Sequence, residues 1–360
     1  MGQGMEIKIP DQMRALVLES PTHFEVKEVP VPKPGRGEVL CRVRAVAICG
    51  SDPEIVFGGL AGIWPPSYPF IPGHEWCGEV VSLGEGVHTV TVGDHVAGEP
   101  HDGCGVCVNC KKGLYNLCYN YGKPERGHHH YGFVYPGAYA EYQVYNEKAL
   151  TVIPPELPFH EAALIDTAAV SLHGIKRVGI TPGGTVCILG PGPIGLTALL
   201  IVKAMGAGRI IMVGRRNRLE TAKELGAECI DFEKTDPIQE VLRLTEGRGA
   251  DEVIEAAGTA STFEQTFELV KPGGKIAILG VPPADTKASL TVRKFVHKEL
   301  LLSGSRGSPN VYPEVIKMIQ NGSLALGSLV SHRFPLSEFT RAMEVFTKRL
   351  ENVVKVIVEP

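Results

Sequence analysis

A glycine-rich turn constrains the fold of this chain more than any other feature. The stretch LGPGPIG places Gly190, Gly192 and Gly195 in the order Gly-x-Gly-x-x-Gly, after an apolar run and before a second run with helical spacing. The first glycine permits a tight turn, the second lets a ligand approach the backbone, and the third lets helix and strand pack closely. Since helix N-termini attract anions, this turn, with Pro193 and Ile194 opening the helix, is typical of a dinucleotide pyrophosphate site.

Strand-like and helix-like segments alternate around this turn. The apolar runs TVCILG, RIIMVG, DEVIEAAG and GGKIAILG are separated by stretches with helical spacing. This alternation predicts a doubly wound parallel sheet with helices on both faces. The preceding part of the chain has short β segments punctuated by Pro and Gly, which predict a β-rich domain. We expect strands at Met13–Leu18, Val39–Ala47, Val80–Leu83 and His95–Ala97. A chain of 360 residues is expected to form two domains. The alternation of strands and helices in one of them places the predicted fold in the α/β class.

The residues after RIIMVG bear on the type of dinucleotide. In NAD-binding domains an acid about 20 residues after the glycine turn bonds the ribose hydroxyls. Here Gly214 takes that place and is followed by Arg215 and Arg216. An acid would repel a 2′-phosphate, whereas a guanidinium binds it through two hydrogen bonds. The pattern therefore predicts NADP as the cofactor. In the alternative, the arginines belong to a solvent-exposed helix start and the cofactor is NAD.

Four cysteines are concentrated in CGVCVNCKKGLYNLC, namely Cys104, Cys107, Cys110 and Cys118. Thiols in a chain without an export signal are expected to stay reduced, so a disulfide framework is not expected. Four thiolates match the tetrahedral coordination of zinc and leave no position open for chemistry. The run predicts a structural zinc site. An iron–sulfur cluster is the alternative, but the run lacks the ferredoxin continuation into Cys-Pro.

A second set of metal ligands lies outside that cluster. CGSD supplies Cys49, and GHE supplies His74 beside Glu75. An open catalytic zinc site has three protein ligands and one exchangeable position. Cys49 and His74 are the first two. The residues alone leave the third open between Glu75 and Asp166, which stands in LIDTAAVSLHG.

Composition excludes several other classes of function. Apolar residues make up 44% and charged residues 21%, as in globular proteins. The 36 basic and 40 acidic residues give a net charge of −4, with no basic run to follow a phosphate backbone, so nucleic acid is not an expected partner. The longest apolar stretch is too short for a membrane span, and no signal-peptide pattern opens the chain. We expect a cytoplasmic protein.

These motifs, in this order, resemble the zinc-dependent medium-chain alcohol and polyol dehydrogenases over nearly the whole chain. The matching pieces are GHEWCGEVVSLGEGV, CGSD, the four-cysteine lobe, GPGPIG and HRFPL. The resemblance implies a GroES-like catalytic domain over 1–170 and 305–360, with the zinc lobe at about 100–120. It implies a Rossmann domain over 171–304, with zinc and nicotinamide meeting between the two. It also implies a homodimer or homotetramer.

The zinc ligands look most like those of the sorbitol, threonine and secondary-alcohol branch, in which a carboxylate replaces the third cysteine. Secondary-alcohol dehydrogenases have an aspartate ligand at the position of Asp166, whereas sorbitol-type enzymes place the glutamate of GHE at or close to the metal. The resemblance therefore favours Cys49, His74 and Asp166 as the catalytic zinc ligands. Glu75 is expected near the metal and able to exchange with Asp166.

Two further residues are matched to roles in the reaction. Ser51 matches the hydroxyl relay of the family, which accepts the substrate proton and donates onward. Glu54 stands where several members have a histidine. Glu54 is therefore expected either to carry the proton further or to bond a substrate hydroxyl.

The implied activity is reversible hydride transfer between NADP and a small molecule, either a secondary alcohol, a polyol or a hydroxy amino acid, with zinc as the Lewis acid. Two zinc ions are expected per chain, one catalytic and one structural. The first alternative keeps this chemistry with NAD. The second is a different class, a zinc-free quinone-reductase-like or structural member of the superfamily. The presence of Cys49, His74 and Asp166 argues against that class.

Overall fold

The computed structural model of the protein describes residues 8–360. Its strands are β1 (Gln12–Ser20), β2 (His23–Pro30), β3 (Glu38–Ala47), β4 (Glu75–Leu83), β5 (His95–Gly98), β6 (His101–Asp102), β7 (His129–His130), β8 (Tyr142–Asn146), β9 (Leu150–Val152), β10 (Thr185–Leu189), β11 (Arg209–Gly214), β12 (Glu228–Asp231), β13 (Ala250–Glu255), β14 (Val270–Ile278), β15 (Leu301–Gly304), β16 (Val330–Pro335) and β17 (Lys355–Glu359). Its helices are α1 (Asp52–Val56), α2 (Val108–Lys111), α3 (Phe159–Ala162), α4 (Ile165–Val178), α5 (Pro193–Ala204), α6 (Arg218–Glu224), α7 (Pro237–Leu244), α8 (Ala260–Leu269), α9 (Val292–His297), α10 (Tyr312–Gln320) and α11 (Phe339–Lys348).

The chain divides into two compact units. The first contains the residues up to Asp166 together with Val330–Pro360, and the second contains Thr167–Leu329. The first break, in the opening turn of α4, lies close to the expected one at 170. The second differs, because residues 305–329, expected to belong to the first domain, group with the second unit. A 3-10 helix at Leu326–Leu329 contacts α5 there, and α10 is joined to α4 by an ion pair.

The second unit is built on a six-stranded sheet in the order β12-β11-β10-β13-β14-β15. Every neighbouring pair in it is parallel, which confirms the predicted parallel sheet. Read in chain order this arrangement is 3-2-1-4-5-6, and it reverses between β10 and β13. Ligands of such sheets bind at that reversal, beyond the carboxyl ends of the strands. The glycine turn follows β10 and therefore lies at this edge.

The first unit contains a seven-stranded sheet in which β16-β17-β3-β4-β5-β9 follow one another and β8 also pairs with β3. β1 and β2 form a separate hairpin. The four predicted strands are confirmed as β1, β3, β4 and β5, although β4 begins already at Glu75. That earlier start places Glu75 opposite Ala47, the last residue of β3. The register therefore brings the GHE and CGSD segments to the same end of the sheet.

Each unit has its own apolar core. In the first unit, Trp76, Tyr145 and Phe339 are among the fully buried side chains, whereas Ile211 and Phe267 belong to the core of the second. No helix in residues 8–360 has both the length and the apolar character to cross a bilayer.

Candidate active site and cofactor turn

Three of the predicted metal ligands come together at the end of β3. Cys49 follows β3, His74 precedes β4, and Glu75 begins β4. Because β3 and β4 are antiparallel neighbours, these three positions converge. One ligand atom from each residue, the thiol sulfur, an imidazole nitrogen and a carboxylate oxygen, lies within 4.8 Å of the others. The geometry thus provides the three-ligand set that an open zinc site requires.

Asp166, the other candidate third ligand, is not a member of this group of atoms. It lies in the first turn of α4 with 6% of its surface exposed. The geometry supports Glu75 as the third ligand, and a direct bond from Asp166 to the metal remains a prediction.

Asp52, which the sequence reasoning did not single out, supports two of the ligands. It is completely buried, and its Oδ2 accepts hydrogen bonds of 2.8 Å from the backbone N–H of Cys49 and from the hydroxyl of Tyr139. Its Oδ1 lies 3.6 Å from Nδ1 of His74. At this distance the contact is an electrostatic attraction and not a hydrogen bond. Its position in CGSD, three residues after the candidate ligand Cys49, could have identified Asp52 from the sequence.

Lys355 is a second residue that sequence reasoning missed. Its ammonium forms an ion pair with Oε2 of Glu75, and only 2% and 3% of the two side chains are exposed. The lysine reaches this place because β17 pairs with β3 on the side opposite β4, with Ile357 opposite Ala47. The available signal was a single charge in the otherwise apolar run VVKVIV, since a buried lysine requires a partner.

The electrostatics of the group fit a cation. Burial alone would lower the pKa of His74, but the charges of Cys49 and Asp52 raise it well above its usual value. Burial likewise opposes the charge on Lys355, yet Glu75 and Cys49 raise the pKa of its ammonium. Three acidic groups, those of Cys49, Asp52 and Glu75, therefore outnumber the ammonium of Lys355 within this cluster. A soft thiolate, an imidazole and a carboxylate are also the donor types that zinc takes.

The two residues predicted to handle the substrate proton lie at the start of α1. The hydroxyl oxygen of Ser51 is buried and has no hydrogen-bond partner among residues 8–360. Ser51 precedes α1 without capping it, so its hydroxyl is not engaged in holding the helix. Glu54 lies within α1 and is exposed. A buried hydroxyl left in this state is suited to accept a bond from a substrate.

The four cysteines of the lobe form a compact cluster. Their sulfur atoms all lie within 4.8 Å of one another, and the pairs Cys104–Cys110 and Cys107–Cys118 are each 3.9 Å apart. Zinc–sulfur bonds of about 2.3 Å in a tetrahedron separate the sulfurs by about 3.8 Å. All four thiols are free of disulfide bonds. The cluster therefore has the dimensions of a four-thiolate zinc site.

Amide groups lower the pKa of the Cys104 thiol in this cluster, whereas burial raises the pKa of the Cys110 and Cys118 thiols. The backbone N–H of Cys107 donates to the sulfur of Cys104 at 3.4 Å, and the side-chain amide of Asn120 donates to the same sulfur at 3.3 Å. Desolvation opposes the thiolate of Cys104, but the amides outweigh it and lower its pKa to about 6. Thiolate is the form that binds metal.

The glycine turn of the second unit has the geometry expected for pyrophosphate. Gly190 has φ +102°, and a Cβ there would lie 2.9 Å from Ala257; a Cβ on Gly195 would lie 1.9 Å from the carbonyl oxygen of Gly190. Gly192, which precedes α5, has no such crowding, since the nearest atom to a Cβ is an Arg218 nitrogen at 3.9 Å. Gly192 therefore leaves its backbone open to a ligand at the N-terminus of α5.

The residues after β11 also lie where the sequence predicted. Gly214 ends β11 and packs against the turn, because a Cβ there would meet the ring of Pro191 at 2.4 Å. Arg215 and Arg216 follow immediately, and both guanidinium groups approach the carboxylate of Glu233, Arg215 at 2.9 Å and Arg216 at 3.8 Å. The sequence did not indicate Glu233, which comes from the segment after β12.

Family models match both halves of the chain. Residues 35–155 match the alcohol dehydrogenase GroES-like domain, and residues 193–321 match the zinc-binding dehydrogenase domain. Among curated proteins, the chain is 35% identical to the sorbitol dehydrogenase of Bacillus subtilis (strain 168), over 98% of both chains. It is 34% identical to the erythritol/L-threitol dehydrogenase of Mycolicibacterium smegmatis, over 97% of this chain and 98% of the relative.

A solved structure agrees with these relatives. A zinc-binding dehydrogenase from Sinorhizobium meliloti 1021, bound to NADP, superimposes with a TM-score of 0.89 at 32% identity, over 98% of this chain and 100% of the other. The expected combination of a GroES-like domain and a Rossmann domain is confirmed. The chain belongs to the zinc-type medium-chain alcohol and polyol dehydrogenases, and it is an NAD(P)-dependent oxidoreductase of that family.

Proposed function

We propose that this dehydrogenase prefers NADP and oxidises polyols or other secondary alcohols, with the reverse carbonyl reduction available. The observation that carries the alcohol chemistry is the group formed by Cys49, His74 and Glu75. The hydroxyl of Ser51, in the adjoining segment, has no hydrogen-bond partner among residues 8–360. When bound, zinc supplies a Lewis acid for the alcohol oxygen, and the nicotinamide accepts the hydride. The residues of the chain hold the metal and move the proton.

The proton route begins at Ser51. Its hydroxyl accepts the proton from the substrate and donates its own onward, which is general acid–base catalysis by a relay. Asp52 holds the backbone of Cys49 through a hydrogen bond, and its carboxylate lies 3.6 Å from the ring of His74. Glu54, exposed on the same short helix, either continues the relay or bonds a second hydroxyl of the substrate.

Two zinc ions per chain are part of this proposal. Cys104, Cys107, Cys110 and Cys118 hold a structural ion, because all four positions of a tetrahedron are filled by thiolates. The group at Cys49 holds the catalytic ion and leaves a position for substrate. Asp166 remains the alternative third ligand, able to exchange with Glu75.

The preference for polyols is supported by the relatives named above, a sorbitol dehydrogenase and an erythritol/L-threitol dehydrogenase. The preference for NADP is supported by the end of β11. No acid stands at Gly214, and Arg215 and Arg216 offer guanidinium groups to a 2′-phosphate. The NADP-bound structural relative supports the same choice.

A parallel assay tests the proposal. The zinc-loaded enzyme is given NADP or NAD with sorbitol, erythritol, butane-2,3-diol, butan-2-ol or L-threonine, and reduced nicotinamide is followed by absorbance. The expected result is a higher kcat/KM with NADP, which Arg215→Asp reverses. Equal or higher kcat/KM with NAD would refute the NADP preference. Metal analysis is run beside it, and one zinc or none per chain would refute the two-zinc proposal and favour the zinc-free class.

A further inference from the structure

We propose that Glu233 is a built-in competitor for the 2′-phosphate of NADP and thereby limits the preference of this enzyme for NADP over NAD. The inference rests on the proposed use of NADP and deepens it. It starts from the arginine pair after β11, which the proposed function assigns to the 2′-phosphate. In the structure this pair is already in contact with an anion of the same chain.

The contact has the form of an anion bound between two guanidinium groups. A single oxygen of Glu233, Oε1, lies 2.9 Å from Nη1 of Arg215 and 3.8 Å from Nη2 of Arg216. A phosphate oxygen bound by the same pair would make these contacts in its place. Both Arg215 and Glu233 keep 42% of their side-chain surface exposed, so a ligand from solvent has access to them.

The backbone holds Glu233 in this position. The N–H of Phe232 donates to the carbonyl of Gly214 at 3.1 Å, and the N–H of Glu233 donates to a carboxylate oxygen of Asp231 at 3.1 Å. The guanidinium of Arg215 also lies over the ring of Phe232, 5.7 Å from its centroid. The segment after β12 is thus held against the end of β11, which places Glu233 beside the arginine pair.

The arginine pair is connected to the cofactor turn by a third arginine. Nη1 of Arg218 lies 3.9 Å from the position that a Cβ on Gly192 would occupy. That glycine is the one that leaves the backbone open to pyrophosphate. A nucleotide whose pyrophosphate lies at Gly192 therefore extends its adenosine end toward the basic segment that begins at Arg215. Glu233, in the segment after β12, lies against the arginine pair of that basic segment.

The free energy of the ion pair between Glu233 and Arg215 determines how much the affinity for a 2′-phosphate should change. An exposed ion pair contributes little to stability, so a 2′-phosphate with two charges displaces the carboxylate. While displaced, the carboxylate still repels the phosphate. Removing its charge is therefore expected to tighten binding of a 2′-phosphate by about fivefold, the equilibrium equivalent of one exposed ion pair. NAD has no phosphate there, so its binding should not change.

Calorimetry on the zinc-loaded enzyme tests this with 2′,5′-ADP and 5′-ADP as probes. The variant is Glu233→Gln. The control is Glu228→Gln, since Glu228 pairs with Arg209 at 2.9 Å in the same sheet with similar exposure of 47% and 41%. We expect Glu233→Gln to bind 2′,5′-ADP about fivefold more tightly and 5′-ADP equally well, with no change in Glu228→Gln.

Two results would overturn the inference. An unchanged affinity of Glu233→Gln for 2′,5′-ADP would show that its carboxylate does not oppose the phosphate. A weaker affinity for 5′-ADP would show that Glu233 bonds the ribose hydroxyls instead. Failure of the NADP proposal is a separate observation, because it is read from the wild-type enzyme binding 2′,5′-ADP no better than 5′-ADP. Even then, a gain of 2′,5′-ADP affinity in Glu233→Gln would support the role of Glu233.

Discussion

The ammonium of Lys355 is paired with the carboxylate of Glu75, although the two residues are 280 positions apart in the chain. They meet because β17 and β4 pair with opposite sides of the same end of β3, the end that leads to Cys49. Both side chains are buried. The lysine therefore offsets part of the negative charge of the metal-binding group and holds Glu75 in one orientation.

Replacing Lys355 by Met is expected to destabilise the protein strongly. Removal of one partner of a buried ion pair leaves an uncompensated charge, which costs about 3–5 kcal/mol. The free energy of unfolding, measured in denaturant at equal zinc content, is the test. Lys176→Met is the control, because Lys176 pairs with Glu314 in an exposed position and should lose about 1 kcal/mol or less.

The same pair is suited to a double-mutant cycle. If Lys355 stabilises the fold through Glu75, the variant Lys355→Met with Glu75→Gln should be more stable than the sum of the single changes predicts. Additive effects would mean that the lysine stabilises the fold through its packing alone. If Lys355→Met lowered the free energy of unfolding no more than Lys176→Met does, the buried pair would contribute no more than an exposed one, contrary to the expected strong destabilisation.

Substitution of the two candidate third ligands, Glu75 and Asp166, distinguishes which of them binds the catalytic zinc. Glu75 belongs to the ligand group with Cys49 and His74, and Asp166 does not. We therefore expect Glu75→Gln to lower the affinity for the catalytic zinc, whereas Asp166→Asn keeps it. Zinc release to a chromogenic chelator measures both. Faster release from Asp166→Asn than from Glu75→Gln would make the aspartate the resting ligand.

Ser51→Ala is expected to lower kcat about 100- to 1000-fold with the zinc content unchanged. The buried hydroxyl of Ser51 is not committed to a partner among residues 8–360, and relays of this kind contribute factors of that size. Ser51→Thr retains a hydroxyl and should recover much of the rate. A Ser51→Ala enzyme with wild-type kcat at every pH tested would exclude Ser51 from the proton route.

The features that could be predicted from sequence are those encoded locally. The glycine turn needs only Gly190, Gly192 and Gly195 within one strand–turn–helix unit, and the four cysteines lie within a single short segment. Backbone conformation and ligand chemistry determine such motifs without reference to distant residues. Both are therefore recognisable before any sheet order is known.

The parts that could not be predicted depend on pairing between distant strands. Lys355 reaches Glu75 only because β17 joins the sheet beside β3, and Glu233 reaches Arg215 only because β12 lies beside β11. Nothing in the local sequence specifies these neighbours. The place of residues 305–329 in the second unit has the same origin, since it results from packing against helices of that unit.

Cys104→Ala is expected to remove one zinc per chain and to lower the melting temperature, while the catalytic zinc stays bound. The lobe has little apolar core of its own, because Val106, Val108 and Leu117 are exposed, so the proposed zinc would supply much of its folding free energy. Metal analysis and thermal unfolding are the measurements. Cys229→Ala, outside the cluster, should keep both ions. Loss of both ions from Cys104→Ala would contradict the independence of the two sites.

We predict that the protein self-associates through β15. This strand is at the edge of the parallel sheet, and its Leu301 is 48% exposed. Val281, Val292 and Val296, in the segment between β14 and β15, are 86%, 66% and 61% exposed. An unpaired strand edge with apolar side chains is a template for pairing with another chain. We therefore expect a homo-oligomer in which β15 pairs with its copy.

Light scattering coupled to gel filtration measures the mass of the assembly. Leu301→Lys should shift it toward the monomer, because a charged side chain on an edge strand opposes pairing. Leu83→Lys, at an exposed position of β4, should leave the mass unchanged and controls for added charge. Surface changes of this kind alter stability by only about 0.5 kcal/mol, so a loss of assembly would not reflect unfolding. A wild-type monomer, or an unchanged mass in Leu301→Lys, would refute pairing through β15.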